Sequence, residues 1–267
     1  MLASVGVFAG ILLEGQKLSH AITSGIVFSS DPRFLLAVTA SSVVIMICLT
    51  YLELPISLSQ VIVGAAVGAA VALGIQVSWN FTFLVGSSWM LTPLVGFVIA
   101  LGLSFATRHV ALRAGRLLTL QLVYGYLTVM SGAYAAYALG ANSVGLLIGM
   151  VSSSRQLPIS ILFGLATISG MLLFSKGTTR SVAENIIGLS PSASFASQIA
   201  GAITVHGFTQ FGIPVSVSQS VLGGIFGASI PQKLVVRNNR LTREIILGWT
   251  AAPLLGGALG FIVALAL

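Results

Sequence analysis

The segment Pro55-Ile56-Ser57-Leu58-Ser59-Gln60 returns 159 residues later as Pro214-Val215-Ser216-Val217-Ser218-Gln219. A glycine-spaced apolar stretch follows each copy, with Gly64 and Gly68 in the first and Gly223 and Gly227 in the second. Similarity at a long fixed offset marks an internally duplicated fold. Each copy also places hydroxyls and an amide inside an otherwise apolar run. In a membrane protein, proline-broken polar patches at matching points of two halves read as a transporter, with its site where the halves meet.

The charge content makes lipid the solvent. Only 6% of the 267 residues are charged and 56% are hydrophobic, against about 25% charged in a soluble domain. Apolar runs fall at roughly 1–13, 34–52, 56–75, 88–106, 117–138, 141–151, 158–174, 195–211, 215–230 and 246–267. A full span needs about 20 residues, so 1–13 and 141–151 are expected to be re-entrant, broken or truncated. Non-helical backbone survives at membrane depth only under cover of protein or a cavity. The expectation is an all-α polytopic protein of about eight crossings plus short, proline-broken or re-entrant half-helices.

The net charge of +7 is concentrated in two places. Arg108, Arg113 and Arg116 share one linker; Lys233, Arg237, Arg240 and Arg243 share another. The positive-inside rule puts 107–116 and 233–243 in the cytoplasm and the uncharged loop 76–88 outside. These clusters read as topology signals and contacts for anionic lipid, not as a nucleic-acid surface. The chain then divides into a first half, 1–106, a basic cytoplasmic linker, 107–116, and a second half, 117–267.

The repeat extends beyond the serine motif. Gly10-Ile11-Leu12-Leu13 matches Gly170-Met171-Leu172-Leu173. Gly140-Ala141-Asn142-Ser143-Val144 precedes the second of these, and its counterpart would fall ahead of Met1. The first half is therefore expected to be incomplete, with polar groups around Ser57 and Gln60 facing lipid, a partner chain or a second copy.

The two Pro-x-Ser-x-Ser-Gln segments resemble the Pro-Val-Ser-Thr-Thr-His signature of the inorganic phosphate transporter family, which includes sulfate permeases. Gly140 to Val144 resembles that family's Gly-Ala-Asn-Asp motif. Lys176 to Gln198 and Gly10 to Ile26 resemble the segments that follow the two copies of that motif. The resemblance implies inverted halves and uptake of inorganic phosphate across the cell membrane, with sulfate as the alternative substrate and a truncated, non-transporting remnant as the alternative role. The departures are specific. The family's aspartate is Ser143 here, and its histidine is Gln60 and Gln219. In sodium-coupled members the aspartates contribute to cation and substrate binding. Proton-coupled or sodium-independent transport is therefore expected.

The donor set suits a tetrahedral oxyanion. Proline fits the first helical turn, so Pro55 and Pro214 are each expected to begin a helix whose free N–H groups meet an anion. Ser57, Ser59, Ser216 and Ser218 add hydroxyls and Gln60 and Gln219 add amides. The other reading of these residues is local: serines satisfying helix carbonyls and glycines allowing close packing. Asn142 is a helix cap or a ligand, and Ser143 occupies the vacated cation position.

Glu14, Lys17 and His20 recur at spacings of three, and Lys176, Arg180 and Glu184 at spacings of four. Each set reads either as a salt-bridge patch at a span end or as a gate or proton relay. His206 lies inside an apolar run and reads as a satisfied core histidine or as a coupling residue. The sequence carries no metal-ligand cluster, nucleophile triad, phosphate loop or haem motif. No cofactor, metal or enzymatic activity is expected.

Overall fold

The computed structural model describes residues 1–18, 20–29, 31–52, 56–113, 117–150, 156–185, 189–233 and 239–267; the side chains of 117, 156, 176–185, 239 and 241–242 fall outside the described set. Nearly every described residue is helical. The helices are α1 (Leu2–Glu14), α2 (Pro32–Tyr51), α3 (Leu58–Ala72), α4 (Trp79–Arg113), α5 (Leu117–Leu139), α6 (Gly145–Ile148), α7 (Gln156–Asn185), α8 (Pro191–Gln210), α9 (Val217–Ser229) and α10 (Asn239–Ala266). Among the described residues, four segments are long and apolar enough to cross a bilayer: Pro32–Tyr51, Trp79–Arg113, Leu157–Ser175 and Arg243–Ala266. α5 and α8, at 23 and 20 residues, also have the length of a span. α1, α3 and α9 have 13 to 15 residues. At about 1.5 Å per residue they are shorter than the roughly 30 Å apolar core of a bilayer.

The duplication is visible helix by helix. α2 and α8 both begin on a proline at the first helical position, Pro32 and Pro191. Asp31 caps the first by accepting from Arg33 N at 2.8 Å, and Ser190 caps the second by accepting from Ala193 N at 3.3 Å. Ser57 caps α3 and Ser216 caps α9. α4 and α10 each carry an internal proline, Pro93 and Pro253.

Packing interlocks these elements. α3 lies against α10 and α9 against α4. A Cβ on Gly64 would stand 2.1 Å from the carbonyl oxygen of Pro253, and one on Gly223 would stand 2.0 Å from that of Pro93. One turn on, Gly68 meets Gly257 and Gly227 meets Phe97 in the same way. Small residues let backbones touch where lipid offers no hydrophobic drive for helix association. The packing role considered for these four glycines is therefore the one they perform.

Four sequence expectations are corrected. The loop expected over 76–88 turns helical at Trp79, because Asn80 to Ser88 continue an unbroken helical run. The basic linker likewise begins inside α4, which extends to Arg113. Pro214 does not begin a helix; it lies three residues before α9 in non-helical backbone, and Ser216 is the cap. Pro55 and Glu53 lie outside the described residues. The groups around Ser57 and Gln60 do not face lipid: both residues are buried, Gln60 almost completely. α5 packs along α1 as well as α8.

Candidate functional site

The two serine motifs meet. Ser59 Oγ donates to the carbonyl oxygen of Val215 at 2.8 Å, tying the first copy to the backbone of the second. Within the first copy Ser57 Oγ and Ser59 Oγ lie 2.9 Å apart. A hydroxyl has one hydrogen, and Ser59 has placed its own on Val215, so Ser57 is the donor in that pair. In the second copy Ser216 Oγ and Ser218 Oγ lie 3.0 Å apart. Ser57 and Ser216 also accept from the N–H groups of Gln60 and Gln219, at 3.4 and 3.2 Å. Each helix N-terminus is thus partly satisfied by its own cap, whereas the local reading had these serines donating to helix carbonyls.

A cavity of about 470 Å³ opens between the motifs. Its polar lining comes from Ser57, Ser143, Thr167 and Ser218; its other walls are apolar, including Met46, Leu139, Phe163 and Leu222. No charged side chain lines it among the described residues. Of the residues singled out from the sequence, Ser57, Ser143 and Ser218 reach this space. Ser59, Gln60, Asn142, Ser216 and Gln219 stand behind the wall and are buried.

Asn142 sits in a π-helical turn, Gly140–Val144, that follows α5. Such turns frequently mark functional positions within helices. Its Oδ1 accepts from Val215 N at 3.2 Å, and its Nδ2 donates to Thr209 Oγ1 at 2.9 Å and to Ile213 O at 3.3 Å. Asn142 therefore braces the backbone leading into the second motif. Trp89 does the same from α4, donating Nε1–H to Pro214 O at 3.1 Å. Thr209, Trp89 and Thr167 were not anticipated. Trp89 and Trp249 occupy matching places in α4 and α10, and that pairing was the available signal. The buried Nε1 of Trp249 has no partner among the described residues.

The two glutamines share an unusual state. Gln60 Oε1 and Gln219 Oε1 are both buried acceptors with no hydrogen-bond partner among the described residues. Buried polar atoms are nearly always paired, and leaving one unpaired costs about 1–3 kcal/mol.

A second polar group lies at the end of α8. His206 Nε2 is 3.0 Å from Glu14 Oε2, and Gln210 Nε2 donates to the same oxygen at 3.0 Å. Lys17 Nζ pairs with Glu14 Oε1 at 3.2 Å and donates to Gln210 Oε1. Tyr134 on α5 hydrogen-bonds His206 Nδ1. His206 is thus neither isolated nor separate from Glu14, which the chain separation had concealed. His20, expected on the same face, is exposed. Glu184 falls within α7, but its side chain, with those of Lys176 and Arg180, lies outside the described set.

The sequence profile of the phosphate transporter family matches residues 1–125 and again 117–260. The chain belongs to the phosphate transporter family. Among similar family proteins, one from Methanocaldococcus jannaschii, provisionally named a phosphate permease, is 28% identical over 98% of this chain and 83% of its own length. The sulfate permease CysP of Bacillus subtilis is 24% identical over 98% of this chain and 75% of its own. A solved sodium-dependent phosphate transporter superposes with a TM-score of 0.85 at 19% identity, covering 99% of this chain and 88% of that one. The fold of this family member is therefore that of a multi-pass helical transporter.

Proposed function

We propose that the chain carries inorganic phosphate across the membrane, binding it in the cavity between the two serine motifs. The observation that supports this most is the convergence of Ser57 and Ser218, from different copies, on one cavity closed by Ser143 and Thr167. A tetrahedral oxyanion needs several hydrogen-bond donors, and neutral donors hold it without the grip of a fixed cation. Ser57 is poised for this: its hydrogen rests on Ser59 and can turn to an entering anion. Ser59, Ser216, Asn142 and the two glutamines hold the wall in place or complete the site when it reshapes.

Transport is proton-coupled or sodium-independent in this reading. Ser143 stands where the family's sodium-coupled members place an aspartate, and a lone hydroxyl is a poor cation ligand. We read residues 1–106 and 117–267 as halves of inverted orientation joined through 107–116. Matched helices and reciprocal glycine contacts support the duplication. Sulfate is the second reading, favoured by the full-length similarity to a sulfate permease.

The test is uptake by purified protein in liposomes. Labelled phosphate should accumulate equally in sodium and choline buffers, and unlabelled sulfate should compete weakly. Preferential uptake of sulfate would transfer the assignment to that anion. A saturable sodium requirement would overturn the coupling reading.

A further inference from the structure

We infer that Glu14 and His206 form the proton-binding site that couples transport in this chain, with Tyr134 and Lys17 setting its two states. The inference rests on the transport reading above and adds the residue that carries the proton. An ionised carboxylate only accepts hydrogen bonds. His206 Nε2, 3.0 Å from Glu14 Oε2, therefore carries a hydrogen. In the neutral ring Nδ1 is then the acceptor, and the Tyr134 hydroxyl donates to it. An incoming proton binds the lone pair of Nδ1. The Tyr134 hydroxyl turns, its oxygen accepts from the new N–H, and no heavy atom has to leave its place. No other bond forms or breaks. Both protonation states are accommodated by one arrangement of side chains, which is what a reversible proton site requires.

The surrounding groups respond to that proton. Lys17 from the turn after α1, Gln210 and His206 from α8, and Tyr134 and Tyr137 from α5 all face Glu14 or the His206 ring. With a neutral imidazole, Glu14 and Lys17 cancel. With an imidazolium, two cations share one carboxylate, so the charge balance across the contact between the turn after α1 and α8 changes while the side chains keep their places. That contact lies next to the cavity's support. Thr209, on the same helical turn as His206 and Gln210, accepts from Asn142, whose carbonyl oxygen holds Val215 N.

The duplicated fold does not itself demand this cluster. The positions 159 residues before His206 and Gln210 are Ile47 and Tyr51, both exposed on α2. One half builds its α8-type helix with an isoleucine and a tyrosine at these positions, so the duplicated helix does not require an imidazole and an amide there. Ionisable groups gathered between the ends of α1 and α8 in a membrane protein are candidates for an ion or proton path.

The experiment compares two rates in proteoliposomes, for wild type, Glu14→Gln and His206→Gln. One is phosphate uptake driven by an inwardly directed proton gradient. The other is equilibrium exchange of labelled for unlabelled phosphate, which needs no net proton movement. Expected for both variants is loss of the gradient's acceleration, down to the rate without a gradient, with exchange retained. Tyr134→Phe should keep the acceleration and shift the external pH at which it appears. Acceleration that survives in His206→Gln overturns the inference alone. Loss of exchange together with driven uptake, in variants that remain monodisperse, assigns the cluster to structure and also overturns it. Wild-type protein that exchanges neither phosphate nor sulfate overturns the transport reading and this inference with it.

Discussion

Ser59 donates its hydroxyl hydrogen to the carbonyl oxygen of Val215 across 2.8 Å, joining residues 156 positions apart in the chain. Both are fully buried. This bond is the most direct link between the two copies of the serine motif, and it also determines which way Ser57 points its hydrogen. Ser59→Ala should leave the Val215 carbonyl without a partner, at a cost of about 1–3 kcal/mol. Thermal unfolding of the detergent-solubilised protein measures this, and uptake should fall with it. An unchanged unfolding temperature would show that the link contributes nothing.

The glycine contacts make a paired prediction. Gly64→Ala and Gly223→Ala each force a methyl to within about 2 Å of a helix carbonyl, at Pro253 and Pro93. Overpacking of this kind costs about 1–3 kcal/mol or more. Gly86 and Gly102 have open space around the same position, and alanine there should be neutral or stabilising, since Gly costs a helix about 1 kcal/mol relative to Ala. Equal unfolding temperatures for all four variants would refute the close packing of α3 on α10 and α9 on α4.

Gln60 and Gln219 separate stability from function. Gln60→Met and Gln219→Met each remove a buried oxygen that has no partner among the described residues and should leave stability equal or higher. Transport should fall in both variants, because each loses an amide from the wall of the proposed site. Full uptake by the double variant would assign them no part in transport.

Ser143 tests the coupling argument from the other side. Ser143→Asp places a carboxylate on the cavity wall, and phosphate uptake should become faster in sodium than in choline. A ratio that stays at the wild-type value would mean that this position does not govern the coupling ion.

Asp31 supplies a pH dependence at the start of α2. The backbone N–H of Arg33, then its guanidinium, hold the Asp31 carboxyl below the ordinary aspartate value. A lowered folded value means that its contribution is complete above the unfolded value, about 3.9, and is lost as pH falls through the folded one. Asp31→Asn should therefore lower stability slightly at neutral pH, and the two proteins should converge as pH falls below about 4. An identical acid profile in both proteins would exclude the cap as the source of the pH dependence.

The sequence by itself determined that the solvent is lipid and that the chain is duplicated, and it singled out the two serine motifs as the candidate site. Those conclusions follow from charge content, a fixed offset and side-chain type, which folding does not alter. The helix boundaries at Pro32, Pro191, Ser57 and Ser216 follow from local capping, although the serines rather than the following prolines' analogues at 55 and 214 mark the starts of α3 and α9. Helix caps act over three residues, so sequence already contains them. Only the tertiary structure decided which polar residues share a cavity and which stand behind its wall. Ser57 and Ser218 reach the open space while Ser59 and Ser216 do not, because interlocked packing of α3 and α9 turns equivalent serines toward different neighbours. It also decided that Glu14 meets His206. Their separation of 192 positions is bridged by α5, which packs against both α1 and α8. No periodicity along the chain encodes a contact that a third helix creates.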